Sequence, residues 1–334
     1  MASRSRGRAL RARRIPLLLL LALSAPLPVL GDGPTEVLVA GLAGAIDLAA
    51  SPAASGGVLI AQQRGDTAVA YWAPGYTDAK PLVAGPPAEL ESPAAKPTAI
   101  AFLSPTHFVV AWRDQAAAAA VSLHEFNPLD SPSDSVRLKS IRRLDAEELP
   151  GGGSLLACLA RGEKFLYTCG GTPARLLRAR HNAGLLSRFR VVSQLDRPAT
   201  ACCETPEGYL LATVDASIVF FNPAEPDSPP LVTYDTGLDQ ISAVAYGQAP
   251  RPYSRLLYVL GEGRGSAAKP GRRPAGLYRL DAGLDTHDRP TCDASLVLAA
   301  DGLVAMSFAA DGGLLLVQAE DNGSARLLRV ADEL

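Results

Sequence analysis

The apolar positions of this chain fall into short runs, and one arrangement of runs recurs. Its clearest copy is Ser242-Ala243-Val244-Ala245-Tyr246, a Gly/Pro-rich turn, then Leu256-Leu257-Tyr258-Val259-Leu260. The first run is small and apolar. The second lacks polar alternation, the pattern of a strand covered on both faces. Equivalent first runs begin at Ala45-Ile46-Asp47-Leu48, Ala99-Ile100-Ala101-Phe102, Leu155-Leu156-Ala157-Cys158, Thr200-Ala201-Cys202-Cys203 and Ala305-Met306-Ser307-Phe308. The copies lie 43 to 62 residues apart, a period that suits four short strands per unit. Matching second runs include Val58 to Ala61, Phe108 to Ala111, Phe165 to Thr168, Tyr209 to Ala212 and Leu314 to Val317. Turn residues separate them: Ser104-Pro105, Arg161-Gly162, Pro206-Glu207-Gly208 and Asp311-Gly312-Gly313.

A third strand follows in each unit, as in Thr67 to Trp72, Ile218 to Phe221 and Arg326 to Val330. A more polar fourth follows in five of them: Pro81 to Val83, Val136 to Lys139, Phe189 to Val192, Leu231 to Tyr234 and Leu296 to Leu298. Polar fourth strands suit an outer sheet edge. The sixth unit has no fourth strand of its own. Glu36-Val37-Leu38-Val39-Ala40, near the other end of the chain, supplies it. The pattern thus predicts an all-β ring of six four-stranded sheets, closed by an N-terminal strand that leaves no open edge. Seven sheets with one degenerate, or a pair of β-sandwiches, are the alternative arrangements. The five-alanine run Ala116 to Ala120 has helix propensity but sits among strand signals and reads as a loop or strand start.

The first 31 residues stand apart from this pattern. Six arginines precede an apolar stretch, Leu17 to Ala25, and Val29-Leu30-Gly31 matches a cleavage site, which together read as a secretory signal peptide. An organellar transit peptide or a retained anchor is the alternative. Residues 32–334 then form one domain, since no linker divides them into two composition classes. Removing the segment leaves 26 basic and 34 acidic residues, a net charge of −8. That balance argues against nucleic acid and anionic lipid as partners. No later stretch is long and apolar enough for a membrane helix.

An oxidising compartment would pair some of the five cysteines. Cys158 and Cys169 lie on the two arms of one hairpin and are the disulfide candidates. Adjacent Cys202 and Cys203 point to opposite strand faces. No CxxC occurs and the four histidines are scattered, which argues against a zinc site or a thiol oxidoreductase. No nucleophile elbow, phosphate loop or HExxH motif occurs in a confirming context. Asp47, Glu204, Asp215 and Asp239, with Glu262 as a fifth carboxylate, fall near strand ends that converge on the ring axis. They are the candidate ligands for a hard cation such as calcium. The alternative for each is a solvated turn residue, the commoner place for an acid. Asn322-Gly323-Ser324 is a glycosylation sequon, and a tight turn explains it equally well.

The recurring unit resembles those of six-bladed β-propellers of the NHL, SMP-30 (gluconolactonase) and strictosidine-synthase-like group. The resemblance is carried by Ile241 to Tyr246, Leu257-Tyr258-Val259, Gly276-Leu277-Tyr278-Arg279-Leu280, Pro206 to Thr213 and Asp311 to Val317. It implies a six-bladed propeller and, for the lactonase-type members, a divalent cation held by Glu, Asn and Asp. The early Glu-Gly-Pro segment of those members is missing here, which favours a non-catalytic ring. The last residues, Ala331-Asp332-Glu333-Leu334, resemble a KDEL-type retrieval signal with Ala in place of the usual cation. The expected function is a protein- or glycan-binding module in the lumen of the endoplasmic reticulum, retrieved by a KDEL-type receptor, or else secreted. A cation-dependent hydrolase or lactonase is the alternative.

Overall fold

Each inner strand of the molecule begins with the same irregularity: one residue bulges out of register with the neighbouring strand. The bulges fall at Ile46, Thr98, Ala157, Thr200, Ser242 and Val304. A bulge adds local twist, and a strongly twisted sheet is what lets blades radiate from a common axis. The computed structural model describes residues 35–90, 92–113, 119–129, 135–145, 147–149, 156–182, 184–248, 255–262 and 273–330. The leader-like segment 1–31 and the tail Ala331–Leu334 lie outside the described residues.

Strand β1 spans Thr35–Ala43. The first blade is β2 (Ala45–Ala50), β3 (Val58–Gln62), β4 (Val69–Trp72) and β5 (Lys80–Val83). The second is β6 (Lys96–Ser104), β7 (His107–Arg113), β8 (Ala119–Glu125) and β9 (Arg137–Arg143). The third is β10 (Leu156–Arg161), β11 (Phe165–Gly170), β12 (Ala174–Asn182) and β14 (Arg190–Leu195), with a two-residue strand, β13 (Leu185–Leu186), added beside β12. The fourth is β15 (Ala199–Glu204), β16 (Leu210–Val214), β17 (Ser217–Phe221) and β18 (Val232–Asp235). The fifth is β19 (Gln240–Gln248), β20 (Arg255–Glu262), β21 (Gly276–Leu284) and β22 (Pro290–Ala299). The sixth is β23 (Leu303–Phe308), β24 (Leu314–Ala319) and β25 (Ser324–Val330), completed by β1.

All pairings within the blades are antiparallel. The inner strands pack in a closed circuit: β2 beside β6, then β10, β15, β19, β23 and β2 again. The molecule is therefore a six-bladed β-propeller, and the seven-sheet and sandwich arrangements are excluded. Strand β1 closes it, with Glu36 opposite Arg329, Val37 opposite Leu328 and Val39 opposite Leu327. Ala119 and Ala120 of the alanine run open β8, and residues 116–118 lie outside the described residues. Among the described residues no helix is long and apolar enough to cross a membrane.

The second strands are covered on both faces, as their unbroken apolar runs require. Val58 to Ala61, Phe108 to Ala111 and Leu314 to Val317 are buried throughout. The core is accordingly six clusters, each filling a gap between two blades. The cluster between blades one and two is aromatic. Phe126 meets Tyr71 and Phe108 edge-on at 5.5 Å, and Trp112 is buried beside them. Its polar atoms are chained: Trp112 Nε1 donates to Ser122 Oγ (2.6 Å), which contacts His124 Nε2 (2.7 Å). His124 stacks on Phe108, and burial lowers its pKa to about 4.

A candidate site in the axial channel

Aligned on the bulge, the inner strands show which residues are equivalent around the axis. The residue after the bulge is Ala99, Ala201, Ala243 and Ala305 in four blades. There is little room where six strands converge, and alanine fits. In blades one and three the same position carries chemistry instead: Asp47 and Cys158. Three residues further on, the side chains are larger in every blade but the first. They are Ala50, Phe102, Arg161, Glu204, Tyr246 and Phe308. These strands enclose an axial cavity of about 740 Å³, with all six contributing to its wall.

Asp47 accepts hydrogen bonds from the N–H of Leu48 and, across the blade boundary, of Ile100, each 2.9 Å. It therefore ties the inner strand of blade one to that of blade two. Burial raises its pKa to about 7, against the lowering effect of both backbone donors, and Cys158 adds a smaller electrostatic push upward. A carboxyl with a native pKa above its usual value of 3.8 holds its proton more tightly when folded. Its contribution to stability is thus full in acid and shrinks as pH rises toward 7. Asp47→Asn removes that dependence. We expect its stability relative to wild type to rise by on the order of 2 kcal/mol between pH 4 and pH 8, since water in the channel moderates the full effect. Thermal melts of both proteins across that range check this. Buried His124 titrates with the opposite slope, losing stability as pH falls, but it is common to both proteins and cancels in the difference.

Glu204 sits at the other end of the cavity. It accepts from Tyr167 Oη (2.8 Å) and from Glu163 N (2.6 Å), both on the β10–β11 hairpin of the preceding blade. Gly162 lies against it: a Cβ there would stand 2.4 Å from the carboxylate. Burial and the Glu204 acceptor hold the Tyr167 phenol protonated well above its ordinary range. The remaining acids are elsewhere. Asp215 is exposed in the β16–β17 turn at φ 52° and pairs with Arg197. Asp239 is exposed just before β19 and does not line the cavity. The side chain of Glu262 lies outside the described residues. The four carboxylates expected to share a cation are therefore not brought together, because two belong to turns outside the channel.

Sulfur is what the fold does bring together. Cys158 and Cys169 are register partners on β10 and β11, with Sγ atoms 3.4 Å apart. Cys202, from β15 of the next blade, places its Sγ 3.2 Å from Cys158. All three are free thiols, and their sulfurs lie within 4.8 Å of one another. This is the sole group of three or more metal-ligating side chains found among the described residues. The contacts with Cys169 and Cys202 lower the pKa of Cys158, and the contact with Cys158 raises those of both partners. Cys203 faces the opposite blade boundary and packs against the core cluster between blades four and five, as its alternation with Cys202 requires. Cys292 is on outer strand β22. Sequence spacing pointed to the Cys158–Cys169 neighbourhood but missed Cys202. A contact between inner strands of successive blades depends on the angle of the ring, which no spacing encodes. Asn322 is exposed in the β24–β25 turn, its Oδ1 accepting from Ser324 N at 2.7 Å.

No protein-family model matches the chain, and no curated protein matches it by sequence. Solved structures do share the fold. The chain is similar to a glucose dehydrogenase with a TM-score of 0.62 and 17% identity, covering 90% of this chain and 100% of that one. It is similar to a chain of a mitotic checkpoint complex with a TM-score of 0.54 and 13% identity, covering 96% and 100%. It is also similar to the WD40 β-propeller domain of Doa1, with a TM-score of 0.52 and 8% identity over 90% and 98%. At these identities the likeness shows the propeller fold alone.

Proposed function

We propose that the ring is a binding module of the secretory pathway, working in the lumen of the endoplasmic reticulum and holding a protein segment or a glycan at the mouth of its axial cavity. The observation that carries this reading is the makeup of that mouth. Arg161, Glu204, Tyr246 and Phe308 stand at equivalent positions around one opening, while Phe102, at the matching place in blade two, is buried in the core. A cation, a carboxylate and aromatic side chains on a rigid rim suit a ligand with polar groups and flat apolar faces. The leader-like first 31 residues and the Ala331–Leu334 tail support the compartment and retrieval by a KDEL-type receptor. The exposed turn at Asn322 supports glycosylation there.

One observation favours a second reading, a divalent-cation-dependent hydrolase or lactonase related to the SMP-30 group: Asp47 and Glu204 both reach the cavity. Against it, Asp215 and Asp239 stand outside. Proximity labelling in living cells separates the two, comparing wild type with an Arg161→Ala/Tyr246→Ala variant. The binding reading predicts a set of lumenal partners or glycoproteins that the variant fails to label. Calcium-dependent lactone hydrolysis by the purified chain, lost in Asp47→Ala, would overturn it in favour of the hydrolase.

A further inference from the structure

We propose that Cys158, Cys169 and Cys202 form a three-thiolate site for a thiophilic cation of the Zn²⁺ class, with its fourth coordination position open to the axial cavity. The inference is independent of the binding role, because it stands on the sulfur geometry alone. Cys169 and Cys202 are buried residues, and Cys158 is a half-buried residue that lines the channel wall. With Zn–S bonds of about 2.3 Å, tetrahedral ligation sets sulfurs roughly 3.8 Å apart. The 3.2 and 3.4 Å contacts need open by only a few tenths of an ångström.

Position in the fold supports the same conclusion. Cys158 stands where four other blades carry alanine, so its sulfur is not a requirement of packing near the axis. The three ligands come from the inner and second strands of blade three and the inner strand of blade four. An ion there joins two blades at the axis. Soft thiolates select zinc or copper(I) over calcium or magnesium. Three protein ligands with one position facing a cavity is the arrangement of an accessible site, as opposed to a closed structural one. A disulfide uses two of the three sulfurs and strands the third against it, whereas a metal uses all of them.

The absence of a CxxC pair argued against zinc at the level of sequence. The structure removes that objection, since its ligands are spaced by blade geometry and not along a loop.

The test uses the full mature chain, reduced and titrated with Co²⁺ alone and then with Zn²⁺. One equivalent of Co²⁺ should give thiolate-to-cobalt charge-transfer absorption, and Zn²⁺ should displace it. Cys158→Ser, Cys169→Ser and Cys202→Ser should each weaken binding by more than the roughly 10–100-fold that loss of a supporting partner costs. Cys203→Ser and Cys292→Ser should bind as wild type does. X-ray absorption on the zinc-loaded wild type, which depends on no variant, should show three sulfur neighbours near 2.3 Å. A purely oxygen or nitrogen shell, a charge-transfer band unchanged in Cys158→Ser, or a disulfide within the triad in protein isolated from its own compartment would each overturn the proposal.

Discussion

A chain that begins at Ala45 is expected to lose cooperative folding altogether. That deletion removes β1, which covers the outer edge of β25 and buries Val39 and Leu42 among Leu48, Ile60, Leu315 and Leu327. Each aliphatic side chain is worth about 2 kcal/mol of burial. Six register pairs between β1 and β25 go with them, at about 1 kcal/mol for each backbone bond they support. The total approaches the 5–15 kcal/mol that holds a whole domain folded. The edge left behind carries Leu327 and Leu328 with unpaired backbone groups, a template for aggregation. Circular dichroism melts and gel filtration should show a broad, low transition and oligomers. A chain beginning at Thr35 should melt as the chain of residues 32–334 does. A monomeric Ala45 chain with an unchanged melting temperature would contradict the closure.

The closure was legible because it left a gap in the count. Five units carried a polar fourth strand, the sixth lacked one, and an apolar strand stood unassigned before the first unit. The structure puts that strand, extended to Thr35–Ala43, against β25. Blade boundaries were also legible, since double-sided burial leaves unbroken apolar runs such as Val58 to Ala61. Bulges were not. A bulge leaves no mark in composition, so first strands could be aligned only on their leading apolar residues, which set Ala45 against Ala99 and Leu155. The register sets Asp47 against Ala99 and Cys158. That two-to-three-residue slip hid the shared axial position of Asp47 and Cys158. The two-residue strand Leu185–Leu186 was hidden for a different reason: two residues carry no period.

For the site, sequence reasoning found acids that lie at strand ends but could not tell channel from turn. Asp47 and Glu204 face the cavity, while Asp215 caps a turn and pairs with Arg197. The difference is one of a few residues along the strand, which decides whether a side chain points to the axis or to bulk water. The sulfur triad depended on a contact across 44 residues, from Cys158 to Cys202, that exists only once the ring has closed.

Strands β1 and β25, the first and last of the described residues, are neighbours in one sheet. Glu36 and Arg329 are register partners in antiparallel β1 and β25, so their Cα atoms stand within the about 4.4–6.8 Å that a disulfide spans. Replacing both by cysteine should therefore give an intramolecular bridge. Closing a loop of nearly the whole chain should stabilise the fold by about 4 kcal/mol or more, the larger value expected for long loops. Losing the exposed Arg329–Asp311 pair, 2.8 Å apart, costs little by comparison. Arg326 lies three residues from the register partner, about 10 Å along the strand, so Glu36→Cys with Arg326→Cys should stay unlinked. Peptide mapping by mass spectrometry of the Glu36→Cys/Arg329→Cys protein is the most direct measurement. The six-bladed ring predicts a monomer in which the peptide bearing residue 36 is bonded to the peptide bearing residue 329. Free thiols at both positions, or a bridge found only between two molecules, would contradict it.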